Sequence, residues 1–505
     1  MANCRYEDLP VDAIEIAKKS VLDLLGVSLA ASGTVRAIQG VVDLLRDQGG
    51  KPVCGILGFA DRAPAILAAF ANGAMAHSLD FDDQGADGHH ASSSIVPAVF
   101  AAAEHVGGVT GKDIIKAVAL GQDMFLRMRR NIEQRQDWHM TTVIGVFSAT
   151  ASVASVLGLN AEQTANALGI ASLGSCGTLE MRYGTESELG QLYAGFMAKT
   201  AMLAGLMAQR GITGTQSVFE GRAGVLNVYF GGKYDRAAML DQLGTRFLGG
   251  TLQYKPWPTC GLSHSYIHAT LKLVRQHKLT AHEVHEIRPY VGDFQQQMCY
   301  PIDTRRRPLT PIDARFSIPF ALAAAVVHGD VRVLQFTEEG LLDAAVLATA
   351  QRVVPIDDST RDWKGVMPTA RVDIATRDGR IFTAIGDGTP GSQDSPMGWD
   401  ALSRKFAECA SLAANRPSDR LISEVLGMAM SLEELPDATV IMRKLCEALL
   451  CRAESGISRW TGIAHAWRRR ARKLQRQRGS CGGPASTVTL ARWRFPPVAS
   501  RSKFS

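Results

Sequence analysis

The sequence predicts a mainly α-helical protein in which a large all-helical domain is interrupted by a smaller α+β domain. Three observations support this fold class. The first half consists of alanine-rich helical segments with no alternation of strands and helices, period-two alternation begins only after Gly249-Gly250, and helical segments return near residue 399. The chain has 505 residues, more than the ~250–300 at which a single core stops growing, so we expect two domains.

The helical domain begins with an amphipathic segment over residues 11–32. Ile14, Ala17, Val21 and Leu24 fall on one stripe of that segment, as in a helix with one buried face. Thr110 and Asn160 stand where N-caps of later helices are expected. Further helices are predicted near 63–78, 95–106, 111–128, 141–157, 161–171 and 191–209.

The α+β domain is predicted from strand-like alternation at 286–294 and 370–386. Asp378-Gly379 inside the second segment is a strong hairpin signal. Helices are expected between these strands, near 313–328 and 337–352. After the second strand segment, helices are expected near 399–413, 419–428 and 437–450. The resulting domain boundaries are 1–248 for the first helical part, 249–394 for the α+β part, 395–450 for the helical return and 451–505 for a tail.

The tail differs in charge from the rest of the chain. It holds thirteen Lys/Arg and one acid, so residues 451–505 carry +12 whereas residues 1–450 carry −6. Runs of like charge are usually disordered. We therefore expect a disordered or aberrant tail and no nucleic-acid partner, with a nucleic-acid or anion-binding arm as the alternative.

The cellular compartment is predicted from targeting, membrane and cysteine motifs that the sequence lacks. The N-terminus shows no basic region followed by an apolar one, and the longest uncharged run, 138–161, carries many Ser and Thr residues that favour a buried core helix over a membrane span. Nine cysteines form no Cys-x-x-Cys pair, which argues against a zinc ribbon or a disulfide framework. We expect a cytoplasmic protein with no membrane partner.

The segment 77–105 carries the richest chemistry, because four carboxylates and two adjacent histidines fall within eleven residues. Asp80 and His90 are candidates for an acid/base pair, since histidine titrates near neutral pH and a carboxylate can orient it. A metal site would use the same groups, although their spacing matches no defensible metal motif. The third interpretation is a solvated acidic loop.

Further candidates lie far along the chain. His139 beside an apolar helix is either a core residue or part of a site, and Lys255 at the domain change either binds a carboxylate or lies on the surface. Cys260 is either a reactive thiol or a small packed residue. The sequence contains no Walker A motif and no Gly-x-Ser-x-Gly elbow, so nucleotide-dependent and serine-hydrolase chemistry are poorly supported.

Several segments in the same order resemble the MmgE/PrpD family, which includes 2-methylcitrate dehydratase, cis-aconitate decarboxylase and iminodisuccinate epimerase. The resemblance covers roughly residues 8–450 and implies a helical domain with a smaller α+β lid, usually as a homodimer. It rests on DFDD…HH…SSSIVPAVFAA, TGKDIIKAVALG, LGLNAEQTANALGIA, KPWPTCGLSH and IDARFSIPFALAAA.

The resemblance also implies site residues. It selects Asp80 and His90, ten residues apart, together with His139 as catalytic residues, and it leaves Asp82, Asp83 and Asp87 to structure or solvation.

The substrate-binding residues implied are Lys255, Cys260 and His264, with Gln84 at a position that holds Thr in the decarboxylase pattern. A family lysine is absent, and Gly190 or a neighbour takes its place.

The predicted function is a lyase that needs neither metal nor cofactor and acts on a small di- or tricarboxylic acid. Dehydration and decarboxylation both pass through a carbanion next to a carboxylate. Two alternatives remain open: an epimerase or racemase of a dicarboxylate, and an inactive paralogue that binds a carboxylate.

Overall fold

The computed structural model describes residues 2–133, 137–183, 187–365 and 367–447, with the side chains of 182, 183 and 447 excepted. The described residues belong to one compact unit, 1–450. The predicted tail and residues 448–450 of the last predicted helix lie outside the described residues.

The first part of the chain is helical, as predicted. A helix over Arg36–Gln48 and a pair of two-residue strands were not anticipated. The elements are α1 Val11–Thr34, α2 Arg36–Gln48, β1 Cys54–Gly55, β2 Arg62–Ala63, α3 Ala65–His77, α4 Ser92–Val106, α5 Gly111–Arg130, α6 Met140–Val156, α7 Ala161–Ala171, α8 Glu180–Tyr183, α9 Leu189–Gln209, α10 Val225–Phe230 and α11 Arg236–Leu240.

Small residues let α3 and α9 pack closely. A Cβ added at Gly73 would lie 2.9 Å from the Cα of Gly195, and one added at Gly195 would lie 2.4 Å from the backbone oxygen of Phe70. Larger side chains at these positions would push the helices apart. This close contact sets the position of α9, whose first turns reach the candidate site.

The α+β part follows, with α12 His264–His277, β3 Val284–Val291, α13 Asp293–Gln296, α14 Ile302–Arg306, α15 Pro311–Arg315, α16 Ile318–His328, α17 Ala344–Ala350, β4 Ile356–Asp357, β5 Arg371–Thr376 and β6 Ile381–Ile385. The sheet order is β4-β3-β5-β6, with only β3 and β4 parallel. The predicted hairpin at Asp378-Gly379 is confirmed as the connection between β5 and β6.

The chain then returns to helices α18 Trp399–Ser411, α19 Asp419–Met430 and α20 Val440–Glu447. A buried ion pair of 2.7 Å joins Lys405 of α18 to Asp23 of α1. The predicted fold class, mainly helical with a smaller α+β part, is confirmed, whereas the predicted domain boundaries stay predictions.

Within the described ranges, no single helix is long and apolar enough to cross a membrane. The consecutive helices α1 and α2 have the length and apolar composition of a span only when taken together, and they are bent by 90°.

Candidate functional site

One cavity of about 470 Å³ lies between the helical part and the α+β part. The side chains that the helical part contributes are mostly polar, and those of the α+β part are mostly apolar. The first group includes His77, Asp80, Asp87, His89, His90, His139, Thr141 and Tyr193, and the second includes Cys260, Leu262, Phe294, Met298, Arg305, Ile312, Asp313, Phe316, Trp363 and Met367.

The loop 78–91, between α3 and α4, supplies the charged groups of this site. Three buried cations from distant elements hold its backbone carbonyls. Arg315 donates to Ser78 O at 2.6 Å, Lys255 to Asp80 O at 3.0 Å, and Lys405 to Phe81 O at 2.6 Å. The predicted alternative of a solvated loop is wrong, because residues 80–84 are all buried.

Asp80 adopts a left-handed backbone conformation with φ +49°, which is uncommon outside glycine. Lys255 holds it there by contacting both its backbone carbonyl and its carboxylate. Burial would raise the pKa of Asp80, but attraction by Lys255, His90 and His77 outweighs burial and lowers it. Asp80 therefore stays ionised at the edge of the cavity.

Asp82 joins two imidazoles and is buried, so of the two roles expected for it, structure or solvation, solvation is excluded. Its side chain is fully buried, and its two oxygens lie 3.0 Å from Nδ1 of His77 and 2.9 Å from Nδ1 of His90. Burial opposes ionisation, but the two imidazoles hold the pKa of Asp82 well below its usual range. Because Nδ1 of each histidine faces Asp82, Nε2 is the ring nitrogen that points away from this carboxylate.

His90 is held from several sides. Its Nδ1 also lies 3.1 Å from Asp83 O, its Nε2 lies 3.4 Å from Asp80 Oδ1, and its backbone N–H donates to Thr141 Oγ1 at 3.4 Å. Burial lowers the pKa of His90, although Asp82 opposes the shift. Burial thus favours the neutral imidazole, and Nε2 is the ring nitrogen that faces the Asp80 carboxylate.

Asp83 serves the structure, as expected, although it is buried rather than solvated. Its carboxylate accepts hydrogen bonds from Ser20 Oγ at 2.7 Å and Ser92 Oγ at 2.5 Å. Burial raises the pKa of Asp83 to about 7. These bonds tie the loop to α1 and to the start of α4.

The other predicted residues divide into two groups. His139 and Cys260 line the cavity with Asp80 and His90. Lys255, His264 and Gln84 do not belong to its lining, and their substrate-binding roles stay predictions.

Each of those three residues has its own buried setting behind the cavity wall. Lys255 is 1% exposed and pairs with Asp80. His264 Nε2 lies 3.2 Å from Thr259 O, and burial lowers the pKa of that histidine to about 3. Gln84 pairs its backbone with that of Gln253.

Many lining residues were not predicted from the sequence, and His77, Tyr193 and Arg305 carry the chemistry among them. The Tyr193 ring lies between His77 and His139, with ring centroids 4.3 and 4.6 Å away. His77 directly precedes the acidic segment at the end of an apolar helix, and that position was the available signal. Nothing in the local sequence marks Tyr193 or Arg305.

Four of these side chains form a group compact enough to surround a cation. Ligand atoms of His77, Asp80, Asp82 and His90 all lie within 4.8 Å of one another. His77 was absent from the metal alternative considered for the segment. Positive charge already reaches the group from Lys255, which contacts Asp80.

One carboxylate orients two imidazoles at this cavity. Such an arrangement is typical of proteins that bind a small molecule and exchange protons with it. Two family models match the chain in order, the MmgE/PrpD N-terminal domain over residues 1–237 and the MmgE/PrpD C-terminal domain over residues 257–427. The chain belongs to the MmgE/PrpD family.

Curated relatives match almost the whole chain at low identity. A cis-aconitate decarboxylase of Aspergillus terreus is 25% identical over 468 residues, covering 88% of this chain and 94% of the relative. The cis-aconitate decarboxylase of Mus musculus is 24% identical, covering 86% and 89%. A cis-aconitate decarboxylase-like protein of Aspergillus oryzae is 25% identical, covering 86% and 93%.

Proposed function

We propose that this protein is a metal-independent lyase that decarboxylates or dehydrates a small di- or tricarboxylic acid. The observation that carries the proposal is the Asp82 carboxylate, which orients His77 and His90 at one cavity. Relatives named cis-aconitate decarboxylases support this reaction class. Asp80, His90 and His139 remain the proposed catalytic residues, and His77 joins them.

Dehydration needs one proton acceptor and one proton donor, whereas decarboxylation needs only a donor. In decarboxylation, the bond between a carbon and its carboxylate breaks, CO₂ leaves, and a protonated side chain of the site transfers its proton to the carbanion. In dehydration, neutral His90 takes a proton at Nε2 while a second group protonates the departing hydroxide. Positioned acid/base groups contribute about 10²–10⁴-fold to such steps.

In this proposal, the cations around the cavity bind the carboxylates of the substrate. Arg305 lines the cavity, and one of its guanidinium nitrogens, Nη2, donates to Gln297 O at 2.9 Å, which anchors the side chain. Lys255 acts through Asp80 in this arrangement, by holding its carboxylate ionised. Arg305 is thus the added candidate for a second carboxylate of the substrate.

Metal independence is part of the proposal. Asp82 already binds both Nδ1 atoms, and the Lys255 ammonium already neutralises Asp80, so the four clustered ligands are occupied by one another. Dialysis of the full chain against EDTA should leave turnover unchanged. Loss of turnover that Zn²⁺ or Mg²⁺ restores would overturn this part.

Turnover of the full chain should be followed by NMR on cis-aconitate, 2-methylcitrate, citrate, tartrate and iminodisuccinate. CO₂ release or a new alkene signal supports the lyase, and exchange with inversion at one carbon favours the epimerase alternative. Binding without product favours the inactive paralogue. His90→Ala and Asp80→Asn should each reduce turnover without unfolding the protein, and full activity of both variants would contradict the assignment.

We also propose that the protein is a homodimer. Leu189, Phe196 and Leu203 are exposed at seven-residue intervals on α9, so they share one face of that helix. Light scattering of the full chain should give twice the monomer mass. Phe196→Asp should give monomers, whereas Leu342→Asp at another exposed position should not.

A cytoplasmic location is proposed on the state of the cysteines. All seven cysteines in the described ranges are free thiols, as expected in a reducing compartment. A fluorescent fusion in the native host tests the location. The absence of a nucleic-acid partner stays a prediction, and a gel-shift assay of the full chain tests it.

A further inference from the structure

We propose that the substrate acid carries an apolar substituent of several carbons, held by the α+β side of the cavity. This inference rests on the proposed lyase function and names its substrate class. The apolar wall is defined here as Phe294, Met298, Ile312, Phe316 and Trp363, all of which line the cavity.

The apolar wall presents partly exposed apolar side chains to a concave site. Met298 is buried, but Phe294, Ile312, Phe316 and Trp363 are only half-buried. Large apolar groups facing an enclosed space are typical of sites that bury an apolar part of a ligand. An acid composed only of carboxylates and short linkers would leave this surface in contact with water.

Two segments of the wall are fixed to each other before any ligand binds. The Phe294 and Trp363 rings lie 5.1 Å apart at an angle of 33°. The Asp293 carboxylate accepts the Trp363 backbone N–H at 2.8 Å, and the Asp293 N–H donates to Asp362 at 3.0 Å. The aromatic pair is therefore preformed, which lowers the entropic cost of binding an alkyl chain.

Gly190 lies directly against the wall. A Cβ at Gly190 would lie 3.3 Å from Ile312 Cδ1 and 3.1 Å from Met181 O, both closer than ordinary contacts. The glycine therefore lets the backbone approach Ile312, and it adds no polar group beside the wall. Among the described lining residues, Arg305 is the one Lys or Arg, which suits one carboxylate beyond the reacting centre.

Cavity size agrees with a larger acid. A volume of about 470 Å³ falls within the ~300–1,000 Å³ of sites for drug-sized ligands. The histidines and most of the carboxylates occupy the side formed by residues 77–193, whereas the apolar wall lies on the side formed by residues 294–363, together with Arg305 and Asp313. An acid with a polar reacting end and an alkyl arm fits both sides at once.

The test measures kcat/KM of the full chain for cis-aconitate and for analogues alkylated on the methylene with methyl, propyl or pentyl. We expect kcat/KM to rise about fourfold per added methylene, the factor that corresponds to burying one CH₂. An unsubstituted acid that is turned over as well as the pentyl analogue overturns this inference and leaves the lyase intact.

Binding separates failure of the inference from failure of the lyase. If no acid is turned over, calorimetry with succinate and with methyl-, propyl- and pentylsuccinate still tests the wall. Affinity that rises with chain length supports the apolar arm without the lyase. Affinity that stays flat or falls overturns the inference whatever the reaction is.

Substitutions in the apolar wall test whether it causes the dependence on chain length. Phe294→Ser and Ile312→Asn should each flatten the dependence on chain length, by at least tenfold at pentyl relative to methyl. Phe294→Leu should restore most of it. Leu342→Ser, at a position 77% exposed and outside the cavity lining, is the matched control and should keep the full dependence. An unchanged dependence in both wall variants contradicts the assignment.

Discussion

Asp82 and Asp83 are neighbours in the chain and lie in opposite environments. Asp82 lies behind the cavity lining and binds two of its imidazoles, which hold its pKa low, whereas Asp83 binds two hydroxyls and burial raises its pKa to about 7. Both side chains are fully buried. The difference shows that burial alone does not decide ionisation, because the neutralising partners do.

Under the proposed function, the two carboxylates also differ in role within one loop. The partners of Asp82 would exchange protons with the substrate, whereas Ser20 and Ser92 connect Asp83 to α1 and α4. Four changes test this separation, in order of falling effect.

Asp82→Asn should lower kcat by about 10³–10⁴-fold, because an amide cannot accept from both imidazoles and leaves at least one in the wrong tautomer. Turnover by NMR, with circular dichroism to confirm folding, measures the effect.

Asp83→Asn is the matched control for this change, and its kcat should fall less than tenfold. Equal losses in the two variants would remove the distinction between the two carboxylates.

Lys255→Met should destabilise the protein by about 3–5 kcal/mol, because it leaves the Asp80 carboxylate buried without its ammonium. Urea unfolding at pH 7 measures the change. Adding Asp80→Asn should recover more than about 1 kcal/mol, since it removes the unpaired charge. A double variant no more stable than Lys255→Met would show that the pair is not coupled.

His77→Gln should lower kcat about 10²-fold with a smaller change in KM, because it removes one of the two imidazoles on Asp82. Combined with His90→Gln, its effect should be less than multiplicative, since the residues act as a unit. Activity within threefold of wild type would restrict the site to His90 and His139.

Asp83→Asn should change how stability depends on pH. Between pH 4 and 7 the folded protein keeps a proton on Asp83 that the unfolded chain has released, so wild-type stability from this group falls as pH rises. Relative to wild type, the variant should gain on the order of 2 kcal/mol between pH 5 and 7.5. Thermal unfolding at both pH values measures it, and a constant difference would contradict the raised pKa.

Sequence periodicity predicted most helices because each buries a stripe or a whole apolar surface in its own segment. Residues 141–157 and 191–209 correspond closely to Met140–Val156 and Leu189–Gln209. The helix at Arg36–Gln48 was missed, although four apolar residues on one face are buried there. Only one residue separates this helix from α1, so the sequence pattern shows no clear boundary between the two helices.

The sequence by itself determined the fold class, the family resemblance and the loop that carries Asp80 and His90, because local patterns and spacing contain that information. Tertiary structure decided which carboxylate meets which partner. Asp82 contacts His77 and His90, Lys255 pairs with Asp80, and the apolar wall from residues 294–363 lines the cavity. Those contacts join residues far apart in the chain, and their electrostatic effects depend on distance and burial, which no local pattern encodes.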